Sequence, residues 1–186
     1  AYRGRGVLLA GPSGSGKTTL TARLLTEGFD YLSDELVFIP CGTQEMQGLT
    51  RPLNLKKGGL KVLEEILPQP RGTRDTRETP SRDIIHPQDV SFCQILPSVS
   101  LDCIIFPAYS SLGQLHVQKL SKAQSGAALM ACLINARNIP GHGFSEISRL
   151  AGKIPGYRLH YGDFDQIGNR LLAVLKKRLL KRSFVT

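Results

Sequence analysis

Apolar positions along the chain fall into short continuous runs that suit strands and into spaced sets that suit helices. Gly6-Val7-Leu8-Leu9-Ala10 is a run, whereas Thr19-Leu20-Thr21-Ala22-Arg23-Leu24-Leu25 repeats its apolar residues at helical intervals. This order predicts a strand, a loop and a helix from about Lys17 to Glu27, with Gly28 as its stop. Phe29-Asp30-Tyr31-Leu32-Ser33 predicts a strand climbing back, and Leu36-Val37-Phe38-Ile39 one descending again, which makes the sheet mixed.

Farther along, Arg51 to Gly58 alternates apolar residues and ends in two cations, predicting a strand that brings charge to the sheet's edge; Leu60 to Ile66 predicts a short helix. Residues 68–83 are polar and turn-rich, with four arginines and no apolar period. They predict a mobile loop, for which a lid and a plain connection are both open readings. Val99 to Pro107 predicts a buried strand, Gln114 to Leu120 a second, Lys122 to Ala136 a packed helix and Tyr157 to Tyr161 a late strand. Asp163 is the expected cap of a final helix whose apolar face is Ile167, Leu171, Leu172, Val174 and Leu175. Its basic end, with Lys176, Lys177, Arg178, Lys181 and Arg182, suits a solvated helix terminus.

Alternating strands and helices over 186 residues, with 41% hydrophobic and 21% charged residues, imply one α/β domain spanning 1–186. No apolar run approaches the roughly 20 residues of a membrane helix, so no membrane partner is expected. The four cysteines form no C-x-x-C pair and predict buried free thiols in a reducing cytoplasm. A net charge of +9 favours anionic partners without choosing among them. No RNA-recognition aromatic motif, zinc finger or helix-turn-helix supports nucleic acid as that partner. His86, His116, His142 and His160 lack metal-ligand spacing. The chain starts without Met, close to its first strand, so an N-terminal segment is expected upstream.

The candidate chemistry is concentrated early. Gly11-Pro12-Ser13-Gly14-Ser15-Gly16-Lys17-Thr18 satisfies G-x-x-x-x-G-K-[ST] between the first strand and the first helix, and Thr19 follows it. Glycines let backbone N–H groups turn toward phosphate oxygens, and the helix N-terminus adds partial positive charge. Lys17 is the expected ligand of the β- and γ-phosphates of ATP, and Thr18 of Mg²⁺. A helix of this length falls roughly 16 Å, and the next strand climbs back about as far, so Asp34 and Glu35 should arrive at the level of the loop. Asp34 is then the expected acid–base group and Glu35 the metal-side group, either being able to serve Mg²⁺. Arg51 and Lys56 are candidate phosphate contacts.

GPSGSGKTTL, a three-turn helix and GFDYLSDELVFIP resemble the nucleotide core of the HPr kinase/phosphorylase superfamily, which shares its arrangement with the phosphoenolpyruvate carboxykinase fold. RPLNLKKG, Arg51 to Gly58, resembles a further segment of the related kinases. The similarity covers about a third of the chain; the second acid is Glu35 where the family carries Asp, and the family's downstream Glu-x-Arg-Gly signature is not visible. The resemblance implies a P-loop, mixed-sheet fold, a homo-oligomer and Mg²⁺-dependent transfer of the ATP γ-phosphate to a hydroxyl. A serine of a protein or peptide is the implied acceptor, with a small-molecule hydroxyl as the alternative. A nucleotide-binding regulatory module with weak ATPase activity is the competing expectation. ABC-type ATPases share the loop, but their LSGGQ and following Asp-Glu strand are absent after residue 40.

Overall fold

The computed structural model describes residues 1–56, 59, 82–162, 173 and 177. The expected helix from Leu60 to Ile66, most of the loop at 68–83 and the final helix with its basic end lie outside the described residues, apart from the helical positions 173 and 177.

The described chain is α/β, with a mixed six-stranded sheet flanked by helices. Its spine is the twelve-residue strand β6 (Ser98–Tyr109). Along one edge, β6 pairs first with the antiparallel β3 (Glu45–Gly48), then with the parallel β1 (Gly6–Leu9). Along the other it pairs with the parallel β8 (Gly156–Tyr161), which carries the antiparallel edge strand β7 (His116–Lys119). β2 (Val37–Phe38) closes the opposite edge against β3. The register skips a residue of β6 between Gly6 and Val7, whose partners are Leu101 and Cys103. Val99 and Leu101 therefore share a face with Ile104 and Phe106, while Cys103 and Ile105 turn to the other face.

Helix α1 (Lys17–Thr26) covers one face, packing Leu20 and Leu24 on Cys103, Ile105, Leu159 and Tyr161. Helices α3 (Lys122–Met130) and α4 (Phe144–Lys153) cover the other, through Leu129, Ile147 and Leu150 on Ile104 and Phe106. The far side of α1 buries Ala22 and Leu25 against Leu53 and Leu55 of β4 (Leu53–Lys56), and against Val90 of the one-turn helix α2 (Pro87–Val90). Among the described residues β4 pairs only with β5 (Arg82–Ile85), forming a ribbon apart from the main sheet. Burial of this kind contributes about 25 cal/mol per Å² of apolar surface removed from water, so α1, buried on two sides, is firmly seated.

Several sequence expectations change here. Gly28 does stop α1: at φ +84° it completes a Schellman turn, with Gly28 N–H donating to Leu25 O at 3.1 Å and Phe29 N–H to Leu24 O at 3.2 Å. The strand expected at Phe29 to Ser33 reduces to one bridge between Tyr31 and Ile95. Phe29, Tyr31 and Leu32 enter three different apolar clusters, and strict alternation cannot send residues 29 and 31 to different places. The strand at Leu36 to Ile39 shortens to β2. The strand within Arg51 to Gly58 forms as β4, but in the ribbon and not at the edge of the main sheet.

The helix expected at Lys122 to Ala136 ends at Met130, where hydrogen bonds tighten from Ala131 N–H to Ala127 O into Cys132 N–H to Leu129 O. The strands at Val99 to Pro107, Gln114 to Leu120 and Tyr157 to Tyr161 form with small boundary changes. Helix α4 is new, although Ile147, Leu150, Ala151 and Ile154 carry the helical spacing that marks it. The thiols also differ from expectation: only Cys103 is buried, and Cys41 is exposed.

Candidate functional site

The glycine loop sits at the carboxyl end of β1. Ala10 N–H donates to Ile105 O at 2.9 Å, which extends the sheet's hydrogen bonding to the first residue before the loop. Gly14 and Gly16 take φ +86° and +91°, conformations that other residues rarely adopt, so the turn requires glycine at both. Gly16 is the N-cap of α1 and no acid occupies the helix's first turn, leaving the positive end of the helix open toward the loop. Lys17 folds back, its Nζ donating to the carbonyls of Gly11 and Pro12 at 2.8 Å each.

Asp34 meets this loop directly. Thr18 donates its hydroxyl to Asp34 Oδ2 at 3.1 Å, and the Asn54 N–H approaches the same oxygen at 3.4 Å. Among the described residues, buried Asp34 Oδ1 has no hydrogen-bond partner, nor has Ser15 Oγ in the loop. Burial pushes the Asp34 carboxyl above its ordinary range, against the opposing pull of Thr18, Asn54 and Lys17. A carboxylate in this state gains from a cation, because a buried acceptor without a partner costs about 1–3 kcal/mol.

Glu35, one residue on, lies in a different environment. It is 62% exposed at the side chain and paired with Arg51 at 2.9 Å, so both candidate charges face solvent. The pair is held from behind. Tyr31 donates its hydroxyl to Arg51 O at 2.6 Å, and Ser33 donates its own to Leu49 O at 2.9 Å. Lys56, at the end of β4, is exposed.

One cleft of about 2080 Å³ takes in residues 11–19, Asp34, Glu35, Arg51 and Lys56. The structure therefore brings all the sequence candidates to one opening, with Asp34 in contact with the loop and Arg51 drawn to Glu35. Beyond the loop, Phe38, Leu133 and Ile134 give the cleft apolar walls, and Arg158 and Tyr109 line it from the far strands. Sequence reading passes over Arg158, Tyr109 and the Asn54 N–H, which reach the cleft only through strand pairing distant in the chain. Among the described residues no group of three or more His, Cys, Asp or Glu is placed to hold a metal. Thr18 with Asp34 is the arrangement that remains, and it suits a cation taking its other ligands from phosphate and water.

Comparison with family models, with curated proteins and with solved structures finds no match to this chain. No helix among the described residues is long and apolar enough to cross a membrane.

Proposed function

We propose that this chain is a Mg²⁺-dependent kinase of the HPr kinase-related kind, a P-loop enzyme that transfers the γ-phosphate of ATP to a hydroxyl, with a serine of a protein or peptide as acceptor. The observation that carries the reading is the 3.1 Å bond from Thr18 to Asp34. It couples the final hydroxyl of a G-x-x-x-x-G-K-[ST] loop to a buried, under-satisfied carboxylate 16 residues away. Such a pair is what a phosphate-bound divalent cation needs. Free thiols suit a reducing cytoplasm.

In this reading the loop N–H groups and Lys17 bind the β- and γ-phosphates, Lys17 exchanging its two loop carbonyls for phosphate oxygens. Thr18 and Asp34 would hold Mg²⁺, which would supply neutralisation of charge on the phosphates. We assign the roles the other way round from the sequence expectation, because Asp34 is the acid bonded to Thr18: Asp34 takes the metal side, and Glu35 receives the proton. The acceptor hydroxyl attacks the γ-phosphorus, its proton passes to Glu35, and the bond to the bridging β–γ oxygen breaks to leave ADP. Arg51, released from Glu35, is placed to offset charge on the transferred group. Lys56 extends the cationic rim. The volume of the cleft accommodates a nucleotide with an acceptor beside it, and its apolar walls suit a peptide side chain.

The test is transfer from γ-labelled Mg·ATP in a host extract, with Lys17→Ala as control. Lys17-dependent label on a protein or peptide hydroxyl supports the reading and identifies the acceptor. Label on a small molecule moves the acceptor class, and label only in inorganic phosphate favours a regulatory module with weak ATPase activity.

A further inference from the structure

The groups given a role above come from the first third of the chain, yet the last described strand also ends against the glycine loop. Tyr161, the final residue of β8, is fully buried and donates its hydroxyl to the Gly16 carbonyl at 3.0 Å. The same carbonyl accepts the Leu20 N–H at 2.9 Å, the first hydrogen bond of α1. A Cβ at Gly16 would collide with the Tyr161 hydroxyl and come within 3.1 Å of the Tyr109 Cβ, so loop and tyrosines are in direct contact.

Tyr161 is itself fixed at both ends. Its ring packs against Tyr109 with centroids 5.6 Å apart and planes at 60°. Its carbonyl accepts the Ser110 N–H at 3.0 Å, and the turn that supplies this donor is closed by Gly113 N–H to Ser110 O at 2.7 Å. Burial and the neighbouring Tyr109 hold the Tyr161 phenol above its ordinary range, so its hydroxyl remains a donor throughout the pH range of ordinary assays.

The peptide between Gly16 and Lys17 is a rigid trans plane in which C=O and N–H point in opposite directions. A hydroxyl that joins the Leu20 N–H in holding the Gly16 carbonyl along α1 thereby keeps the Lys17 N–H aimed the opposite way, back toward the loop. We propose that Tyr161 is a positioning residue for phosphate binding, setting the Gly16–Lys17 peptide from a strand 145 residues distant. The role rests on the phosphate-binding reading of the loop and adds to it a residue that no loop motif contains.

Tyr161→Phe removes the hydroxyl and keeps the ring. Tyr157→Phe is the control, because Tyr157 lies on the same strand and in the same apolar cluster. Two quantities are measured on both variants and the wild type: amide hydrogen exchange across residues 11–20 without ligand, and affinity for inorganic tripolyphosphate. In Tyr161→Phe, exchange of the Leu20 N–H, which the Gly16 carbonyl accepts, should speed up and tripolyphosphate affinity should fall, each about five- to tenfold, the size of one hydrogen bond. Tyr157→Phe should match the wild type in both. Unchanged exchange in a protein that binds tripolyphosphate, or equal losses in the two variants, overturns the role of Tyr161 alone. A wild type that binds no tripolyphosphate overturns the phosphate reading, and the proposed role with it, whatever the exchange shows.

Discussion

The glycine loop and the acidic segment beside it are built in opposite ways. Residues 11–18 owe their shape to near neighbours: β1 ahead, α1 behind and two glycines at positive φ. Asp34 and Glu35 belong to a stretch with almost no regular structure, held by Thr18, Leu49, Arg51 and Asn54. In the loop, residue type alone indicates chemistry. In the acidic segment, distant partners decide it, and adjacent carboxylates end up one buried and one exposed.

The largest expected effect lies in the loop. Lys17→Ala should weaken ATP binding and transfer at least about 100-fold, measured by calorimetry and label transfer, with the melting temperature nearly unchanged because the carbonyls it releases lie at the cleft. Glu35→Gln should lower transfer about 100-fold while leaving the ATP dissociation constant within a factor of two or so, the pattern of a lost proton acceptor. Equal transfer in that variant would return the proton to another group and erase the division of roles between the two acids.

Gly16→Ala sharpens the contrast on the stability side. The positive φ and the collision with Tyr161 should together cost about 1–3 kcal/mol, seen in chemical denaturation.

A pH series addresses Asp34. Its carboxyl is raised by burial, so between the ordinary and the raised value the folded protein holds a proton that the unfolded chain has released. The associated stability is present below the ordinary carboxylate range and is lost as pH rises through the raised value. Asp34→Asn, which keeps a carbonyl acceptor for Thr18, should therefore gain in melting temperature over the metal-free wild type as pH rises through the raised value, and the gap should close in acid. Arg51→Ala should cost the least stability, below about 1 kcal/mol in chemical denaturation, because its ion pair with Glu35 is mostly solvated.

The contrast also explains what the sequence made legible. The strand–loop–helix around Lys17 and the Gly28 stop could be read because each depends on residues within a few positions; the mixed sheet is expected through a strand at Phe29 to Ser33 that does not form, and it arises instead from the distant antiparallel pairings β2–β3, β3–β6 and β7–β8. The arrival of Asp34 at Thr18 could be anticipated from chain length, yet the strand assumed to carry it does not form, since Phe29, Tyr31 and Leu32 are claimed by separate clusters. The partition of Asp34 from Glu35 was not legible, because Arg51 and Asn54 act from 16 and 20 residues away. Tyr161 was still less so. It is an ordinary aromatic residue of a late strand until β8 pairs with β6 and brings its hydroxyl beneath Gly16.

The central claim is that Asp34 and the glycine loop form one Mg²⁺–triphosphate site, and the most direct measurement is ATP affinity with and without Mg²⁺ in the wild type and in Asp34→Asn. The account predicts that Mg²⁺ tightens ATP binding about tenfold or more in the wild type and has little effect in Asp34→Asn, which still binds ATP through Lys17. An equal Mg²⁺ increment in both proteins, or no ATP binding by the wild type, would contradict it.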